Sequence, residues 1–403
     1  MQDLTTSEPT SNTLHIDRTL RLLGVATAVT VANIYYAQPL LEAIASTLHL
    51  SASQAGRIAV ATQIGYAIGI FLFVPFGDSH DKRNLLSVQI SIAAVAAVLC
   101  AWAPNLHVLV VSSVVLGIGA AATHVMVPMS AEISPPEQKG RAVGAVMSGL
   151  LIGILGSRVF AGWIASAFGW RSVFVIAAIM NVGLVPVLLK LLPHTHPKER
   201  APYPELLGST LRLPKELPAL RESCTVGALL FASFNCFWTT LPFLLKDSFH
   251  RGSGAVGMFG AIGLTGALVA PIAGRLSDRK GPRYTVGWFV FVTLAAYAVL
   301  MPASRSLLLL VLGVIVLDAG VQGTQISNQT RIFSLRRGAE SRLNTVFMTA
   351  YFAGGALGSF SSALVWQHYG WLGVTLLGAS YAALALLRHA MGTRRTLPLA
   401  VAL

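Results

Sequence analysis

The chain has 403 residues, of which 54% are hydrophobic and only 11% are charged, whereas about 25% are charged in soluble domains. So few charges do not cover the surface of a soluble protein of this size, and the composition indicates an outer surface that faces lipid. The net charge of +13 does not indicate nucleic-acid binding, because Lys and Arg lie between hydrophobic runs rather than in a basic patch with exposed aromatic residues.

Apolar runs of about 20 residues follow one another along the chain, and each is long enough to cross a bilayer as a helix. We predict twelve membrane spans, near residues 21–45, 54–76, 84–103, 106–132, 143–166, 170–191, 221–245, 254–274, 284–303, 306–330, 343–366 and 371–389. A stretch rich in Pro, Lys and Arg separates the sixth run from the seventh and has the composition of a linker. The predicted fold class is an all-α membrane protein of two six-helix bundles. Its predicted segments are an N-terminal tail 1–20, bundles 21–191 and 221–389, a linker 192–220 and a C-terminal tail 390–403.

The distribution of Lys and Arg predicts the orientation of these spans. With the N-terminus inside, 23 of the 29 Lys and Arg residues fall on the inner side and 5 on the outer side, while Arg158 lies within a span. Such an excess of inner charges follows the positive-inside rule. We therefore expect a multi-pass protein of the cell inner (cytoplasmic) membrane with both termini in the cytoplasm. The polar first twenty residues have no features of a cleaved signal peptide.

The two halves of the sequence share landmarks at a nearly constant spacing of 200–202 residues. The pairs are Asp78 and Asp278, Arg141 and Arg342, Gly153 and Gly354, Asn33 and Asn235, and Tyr36 and Trp238. Because each half has an even number of predicted spans, the two halves have the same orientation in the membrane. Such parallel repeats are related by an axis along the membrane normal, and they place a solute site at their interface near the midplane.

A loop motif between the eighth and ninth predicted spans suggests a family. Residues 274–283, GRLSDRKGPR, resemble the Gly-x-Leu-x-Asp-Arg-x-Gly-Arg-Arg loop of the major facilitator superfamily. The copy at 74–83 departs from it at Val74, Ser79 and Asp81. The resemblance implies a fold of twelve helices that carries solutes by alternating access.

Elementary chemistry gives this loop a possible role. Glycine permits close approach of helix ends, and an aspartate accepts hydrogen bonds from a helix N-terminus or an arginine. We predict a cytoplasmic gate in which Asp78 and Asp278 pair with arginines at the starts of the fifth and eleventh spans; the alternative is that these are ordinary inner-side charges. The predicted gate residues are Asp78, Arg83, Arg141, Gly274, Asp278, Arg279 and Arg342.

Other segments are similar to a branch of bacterial facilitators classed as efflux permeases. These are residues 33–41, NIYYAQPLL, residues 148–155, SGLLIGIL, and residues 317–322, LDAGVQ. The chain departs from better-known proton antiporters of the superfamily. Ser113 and Leu116 replace polar residues of an Arg-x-x-Gln-Gly stretch, and Arg158 replaces a proline of a Gly-Pro-x-x-Gly-Gly stretch. Proton coupling therefore does not follow from the resemblance alone.

Polar residues inside the predicted spans are candidates for contact with a solute or a coupling ion. Arg158 and Asp318 lie deep within spans, where a charge costs about 2.5–3.5 kcal/mol on insertion scales. Gln322 and Gln325 follow Asp318 at helical spacing and predict one polar stripe. A structural ion pair is the alternative for the two charges, and ordinary packing or interhelical hydrogen bonding is the alternative for the others. The remaining candidates are Asn33, Tyr36, Asn235, Trp238 and His124.

The sequence favours a secondary transporter over other classes. There is no phosphate-binding GxxxxGK[ST] loop, no resemblance to a channel selectivity filter and no cluster typical of an enzyme active site or a metal site. We expect no enzyme activity and no cofactor, and we expect a monomer whose partners are the lipid bilayer, a small organic solute and protons. Proton-coupled efflux is the first expectation; the alternatives are a proton-coupled uptake symporter and, further away, a transport-dead sensor or scaffold.

Overall fold

A computed structural model describes residues 11–135, 138–195, 202–263, 269–336 and 338–392, with side chains from residue 17 onward. Residues 1–10 of the predicted N-terminal tail, 393–403 of the C-terminal tail, 196–201 of the linker and 264–268 of the eighth predicted span lie outside the described residues. Within these ranges the chain forms helices and no strand, which confirms the predicted all-α class.

The helices follow one another with short connections. Short 3₁₀ turns lie at Gln38–Leu40 and Met301–Arg305. The α-helices are α1 (Ser11–Ala32), α2 (Leu41–Leu48), α3 (Ala52–Ser79), α4 (Lys82–Ala101), α5 (Leu106–Ala120), α6 (Thr123–Glu132), α7 (Lys139–Phe168), α8 (Trp170–Leu191), α9 (Tyr203–Glu216), α10 (Pro218–Phe249), α11 (Ser253–Ile262), α12 (Ala270–Lys280), α13 (Pro282–Leu300), α14 (Leu307–Phe333) and α15 (Glu340–Ala390).

Among the described residues, nine helical segments are long and apolar enough to cross a membrane, whereas twelve spans were predicted. One difference is α15, whose 51 residues contain the predicted eleventh and twelfth spans. Gly370 interrupts this helix with φ 57° and ψ −150°, a conformation that glycine adopts readily because it has no Cβ. The predicted boundary at residues 367–370 therefore coincides with a sharp bend within one assigned helix.

The first predicted span is interrupted. α1 ends at Ala32, and a turn leads into the 3₁₀ segment and α2, so the expected continuous run 21–45 is not one helix. The sequence Gln38-Pro39 explains the break, because proline lacks an N–H donor and disfavours a helical conformation at the residue before it. The break places the Gln38 side chain inside the protein, where it is 2% exposed.

The distribution of side chains is that of a protein surrounded by lipid. Large apolar side chains such as Trp102, Trp163 and Phe168 are 64–75% exposed. Many polar side chains are enclosed instead, including the 1%-exposed Arg158 and the 3%-exposed Asp318. Helices satisfy their backbone hydrogen bonds internally, as a spanning segment requires. The fold thus supports a multi-pass membrane protein.

The sequence repeat corresponds to a repeated packing contact. A Cβ on Gly153 of α7 would lie 2.4 Å from the Ala28 carbonyl oxygen of α1, and one on Gly354 of α15 would lie 2.1 Å from the Ala228 carbonyl oxygen of α10. Both contacts pack the first helix of a half closely against its fifth. The small residues therefore permit direct backbone contact, as small-residue interfaces do in membranes.

Part of the predicted linker is helical. α9 buries Leu206 and Leu213 against the bundle and touches both halves of the chain. Tyr203 Oη donates to the Leu72 carbonyl oxygen of α3 at 2.8 Å, and Arg342 of α15 donates to Ser209 Oγ at 3.1 Å. The linker therefore lies across the end that carries residues 78–83 and 278–283, called the basic end below. The end that carries residues 41–51 and 246–252 is called the far end.

Candidate functional site

A cavity of about 530 Å³ lies between the N-terminal half, up to residue 195, and the C-terminal half, from residue 218. This volume is within the usual range for small-molecule sites. The cavity extends toward the basic end, where the exposed Glu340 borders it. Five of the residues predicted to contact a solute or a coupling ion lie on its wall: His124, Arg158, Asp318, Gln322 and Gln325.

Arg158 of α7 forms the deepest cationic part of the wall. Its Nε and Nη2 donate to Gln38 Oε1 at 3.3 and 3.1 Å. The guanidinium carbon lies 4.0 Å from the centre of the Trp238 ring and 4.9 Å from that of Tyr35. Aromatic faces attract a cation more strongly when water is excluded. They therefore hold the Arg158 side chain in place, although no described carboxylate forms an ion pair with it.

Asp318 of α14 lies on the same wall, on the side of the C-terminal half. Its side chain is almost fully enclosed, and Oδ2 has no hydrogen-bond partner among the described residues. Arg158 acts on it electrostatically but does not pair with it directly. A buried carboxylate without a partner is costly in its charged form. The arrangement therefore favours a group that gains or loses a proton, or pairs with a ligand, as its surroundings change.

The predicted polar stripe continues from Asp318 toward the basic end. Gln322, Gln325 and Gln329 all border the cavity. Tyr351 of α15 donates to Gln325 Oε1 at 3.3 Å, which positions that amide. The stripe supplies neutral hydrogen-bonding groups along the cavity, while His124 borders it from α6, with its ring centre 5.5 Å from that of Tyr66.

The two repeat-related pairs of the first and seventh spans have different surroundings from those predicted. Asn33 exchanges hydrogen bonds with Asn181 of α8 at 3.3 and 3.4 Å, and Tyr36 packs against Phe160 with ring centres 6.0 Å apart. Neither borders the cavity. Asn33 thus makes an interhelical hydrogen bond, and the turn after α1 directs Tyr35 rather than Tyr36 to the cavity wall.

Asn235 and Trp238 of α10 lie beyond the cavity toward the far end, where they join the two halves. Asn235 Oδ1 accepts from Gln38 Nε2 at 3.1 Å and from Gln63 Nε2 at 2.7 Å. Gln63 Nε2 also lies 3.1 Å from Ser359 Oγ. The chain from Arg158 through Gln38 to Asn235 therefore links the cavity wall to the contact between the halves.

Gln38 is the main functional candidate that the sequence reasoning missed. It lies in the segment 33–41 that is similar to bacterial efflux permeases, but it is not among the predicted site residues. Only the break before Pro39 brings its amide between Arg158 and Asn235. A glutamine directly before a proline within an apolar run was the available signal.

Close backbone contacts join the two halves near the far end. A Cβ on Gly162 of α7 would lie 2.5 Å from the Ser253 carbonyl oxygen of α11, and one on Gly56 of α3 would lie 2.4 Å from Ala363 Cβ of α15. Lys246 also pairs with Glu42 across the halves. The molecule is thus closed at the far end and has its cavity directed toward the basic end.

Comparison with known proteins agrees with this architecture. The family model described as "Major Facilitator Superfamily" matches residues 23–359 and, in a second match, residues 223–400. The chain belongs to the major facilitator superfamily. This confirms the resemblance of the loop motif, and it makes the protein a facilitator-type transporter of small solutes rather than an enzyme.

Relatives and solved structures of this superfamily cover nearly the whole chain. "Uncharacterized transporter YgaY" of Escherichia coli O157:H7 is 38% identical over 367 residues, covering 91% of this chain and 93% of the relative. "Probable sugar efflux transporter" of Pasteurella multocida is 24% identical over 352 residues, covering 86% of this chain and 85% of the relative. The crystal structure of a D-xylose–proton symporter superimposes with a TM-score of 0.77 at 14% identity, covering 95% of this chain and 98% of that one; this likeness concerns the fold.

At the basic end of this facilitator, Asp78 and the two predicted arginine partners have other contacts. Asp78 Oδ2 accepts from Ser341 Oγ of the opposite half at 3.0 Å. Arg141 is exposed and lies 3.6 Å from Asp17, and Arg342 donates to Ser209 of the linker helix. The predicted pairing of aspartate with Arg141 or Arg342 stays a prediction.

The other predicted gate residues divide into two groups. Asp278 and Arg279 are exposed at the end of α12, and a Cβ on Gly274 would meet no atom within 4 Å. Arg83 lies within a polar cluster, where its Nη1 is 2.9 Å from His194 Nε2. The gate role of these residues stays a prediction.

Asp81 organises the cluster around Arg83. It accepts from the Thr195 backbone N–H at 3.0 Å and lies 2.6 Å from His194 Nδ1. Partial burial raises the pKa of the Asp81 carboxyl, but the hydrogen bonds from Thr195 and His194 outweigh this and hold its pKa below the ordinary value. The cluster thus ties the end of α8 to the start of α4.

A second charged cluster closes the basic end of the C-terminal half. Glu222 of α10 is 1% exposed and accepts from Arg331 at 2.9 and 3.0 Å and from Arg283 at 3.0 Å. His389 Nδ1 lies 3.4 Å away. In the N-terminal half, Lys82 pairs with Glu132 at 2.9 Å. Lys82 is the first residue of α4 and Arg283 the second of α13, so both halves pair a helix-start cation with an acid on a neighbouring helix.

Proposed function

We propose that the nine recognised spans are part of a set of twelve. The 51 residues of α15 would extend about 76 Å if straight, at 1.5 Å per residue, whereas the hydrocarbon core is about 30 Å thick; the bend at Gly370 divides them into two spans. α1 supplies another, and α11 with α12 supplies the twelfth. The second family-model match, which begins at residue 223, supports the division into bundles 21–191 and 221–389.

We further propose that the basic end faces the cytoplasm of the cell inner membrane and that the chain acts as a monomer. The 23-to-5 distribution of Lys and Arg supports this orientation. In this orientation the cavity extends toward the cytoplasm, and the contacts of Gly162, Gly56 and Lys246 close the outer side. The conformation is then inward-facing, and a rocking motion of the halves would bring Asp78 and Asp278 close to Arg141 and Arg342 in the opposite state.

The function that the geometry supports best is proton-coupled secondary transport of a small organic solute by alternating access. The observation that carries it is the enclosed Asp318 carboxyl on the wall of a cavity between the two halves, with no hydrogen-bond partner for Oδ2 among the described residues. An intramembrane acid of this kind is suited to carry a proton between the two sides. Arg158, Gln322 and Gln325 supply the groups that hold the solute, whereas Asn235 and Trp238 act at the outer contact.

Two modes of coupling have support. The name of the Pasteurella multocida relative supports export. In this first mode, protons that enter the cell would drive the solute out in exchange. The fixed cation at Arg158 supports the second mode, in which a proton and the solute are carried together, because a proton on Asp318 leaves Arg158 free to hold a negative group of the solute. In this second mode, the solute leaves the cell when its own concentration gradient drives it outward. It enters the cell when the proton gradient drives it inward.

The test is a comparison of Asp318→Asn with the wild type in a bacterium that lacks its main export systems. A panel of labelled organic compounds is loaded into the cells, and retention and uptake are followed with and without a proton gradient. Wild-type chain should change the distribution of at least one compound in a gradient-dependent manner, and Asp318→Asn should lose that dependence while it is inserted in equal amount. Gradient-dependent transport that persists at full rate in Asp318→Asn would remove Asp318 from the coupling role.

A further inference from the structure

We propose that the solute is an organic anion with a flat apolar body, that Arg158 binds its carboxylate or similar group, and that the anion binds together with a proton on Asp318. This inference rests on the proposed transport function and adds the chemical class of the solute and the sign of its coupling. It follows from the charges and surfaces of the cavity.

Arg158 is an incompletely satisfied anion receptor. It is 1% exposed, and its two hydrogen bonds, from Nε and Nη2, both go to the neutral Gln38 Oε1. Among the described residues, Nη1 has no hydrogen bond and no carboxylate pairs with the guanidinium. Arginine presents a planar set of donors that matches a carboxylate, and a buried charge normally has a partner of opposite sign. An anionic solute supplies that partner.

Another part of the cavity wall is aromatic and comes from both halves. Phe231 stacks on Tyr351 with ring centres 4.0 Å apart, and Tyr66 meets Phe352 edge to face at 4.5 Å. All four rings border the cavity. Aromatic surfaces favour offset or edge-to-face contacts with a further ring, so a flat apolar body would complete this wall while its charged end reaches Arg158.

The charge balance of the cavity decides the sign of coupling. With Asp318 ionised, Arg158 and Asp318 together are neutral, and an added anion leaves an excess negative charge in a poorly solvated site, which is unfavourable. With Asp318 protonated, the anion and Arg158 are neutral together. Binding of the anion and binding of the proton therefore strengthen each other, and reciprocity between the two sites requires that each raise the affinity of the other.

The other titratable and charged groups around Asp318 can be named. Arg158 acts on it electrostatically from α7, and the phenols of Tyr35, Tyr66 and Tyr351 border the same cavity. His124 borders the same cavity from α6, and Glu340 borders it near the basic end. Because the His124 imidazole is a second titratable group that borders the same cavity, the test includes its replacement.

The experiment measures binding to the full chain in lipid nanodiscs by isothermal titration calorimetry. The probes are 2-naphthoate and its neutral analogue 2-naphthamide, which have nearly the same shape. We expect the wild type to bind naphthoate at least tenfold more tightly than naphthamide. Arg158→Gln should remove this preference, and Arg158→Lys should keep a part of it. Arg171→Gln is the matched control, because Arg171 also lies over a tryptophan, with Cζ 4.2 Å from the Trp170 ring centre, outside the cavity.

Proton uptake is measured in the same titrations in buffers of different ionisation enthalpy. Naphthoate binding should take up protons in the wild type and in His124→Gln, and Asp318→Asn should bind naphthoate at least as tightly without taking up protons. Equal binding of naphthoate and naphthamide, unchanged preference in Arg158→Gln, or no proton uptake in the wild type would each overturn the proposal. Gradient-dependent transport of neutral or cationic compounds, without naphthoate binding, would overturn it while the proposed transport function stands.

Discussion

Gln38 offers a direct way to perturb the contact between the halves while every charged side chain of the cavity stays in place. Its amide accepts from Arg158 and donates to Asn235 of the opposite half. Gln38→Met replaces it with an apolar side chain of similar length, which removes both interactions. Since the bond from Gln38 to Asn235 joins the two halves and requires the far end to be closed, the exchange should shift the equilibrium toward a conformation that is open at the far end.

The size of the shift follows from the contact that crosses the halves. The hydrogen bond from Gln38 to Asn235 joins two neutral amides, and such a bond contributes about 0.5–1.5 kcal/mol. Its loss corresponds to a roughly 2- to 13-fold rise in the ratio of far-open to far-closed molecules.

Electron–electron double resonance measures this ratio. Spin labels at Thr47→Cys and Ser248→Cys lie on exposed positions of opposite halves at the far end, and the chain without these two exchanges gives the background from native cysteines. Gln38→Met should add a longer-distance population. Gln89→Met is the matched control, because Gln89 is 0% exposed and its amide atoms have no hydrogen-bond partner among the described residues. If both variants give the wild-type distribution, the Gln38 contacts do not hold the far end closed.

Two further predictions concern the basic end. Glu222→Gln leaves Arg283 and Arg331 without their buried acid and should lower stability by about 3–5 kcal/mol, seen as a lower melting temperature in detergent. Glu216→Gln, which breaks the exposed pair with Arg336, should change the melting temperature little. Equal effects of the two variants would contradict this account. The pKa of the Asp81 carboxyl is lower in the folded chain than its ordinary value of 3.8. The charged carboxyl therefore stabilises the fold fully above pH 3.8, and this stabilisation is lost as the pH falls toward the lower pKa of the folded state. Melting temperatures between pH 3 and 7 should fall less steeply in Asp81→Asn than in the wild type, and identical pH profiles would show that the cluster does not contribute.

The helical architecture could be predicted well from the sequence, because the length of an apolar run and the position of a glycine at its end are local signals. Residues 170–191 form α8 at the predicted bounds, and the bend at Gly370 lies between two predicted spans. The interruption after Ala32 was not predicted, because a proline within a membrane helix is often tolerated and only the tertiary contacts of Gln38 reveal the turn.

The candidate site was predicted in part. Arg158, Asp318 and the glutamine stripe border the cavity because charged and amide groups within a span must face water or protein. Asn33 and Tyr36 do not, because they lie in the turn after α1, which directs Tyr35 to the cavity and which helical periodicity does not reveal. The contacts of Asn235 and Gln38 depend on residues about 200 positions apart, which no local pattern reveals.

The most direct test of the central claim is solute flux in proteoliposomes with an imposed pH gradient. The purified chain is reconstituted, a labelled compound from the cellular panel is added, and internal pH is recorded at the same time. The account predicts solute movement that depends on the gradient in the wild type, accompanied by proton movement, and the loss of both the dependence and the proton signal in Asp318→Asn. Solute flux that is indifferent to the pH gradient and unaccompanied by proton movement in the wild type would contradict it.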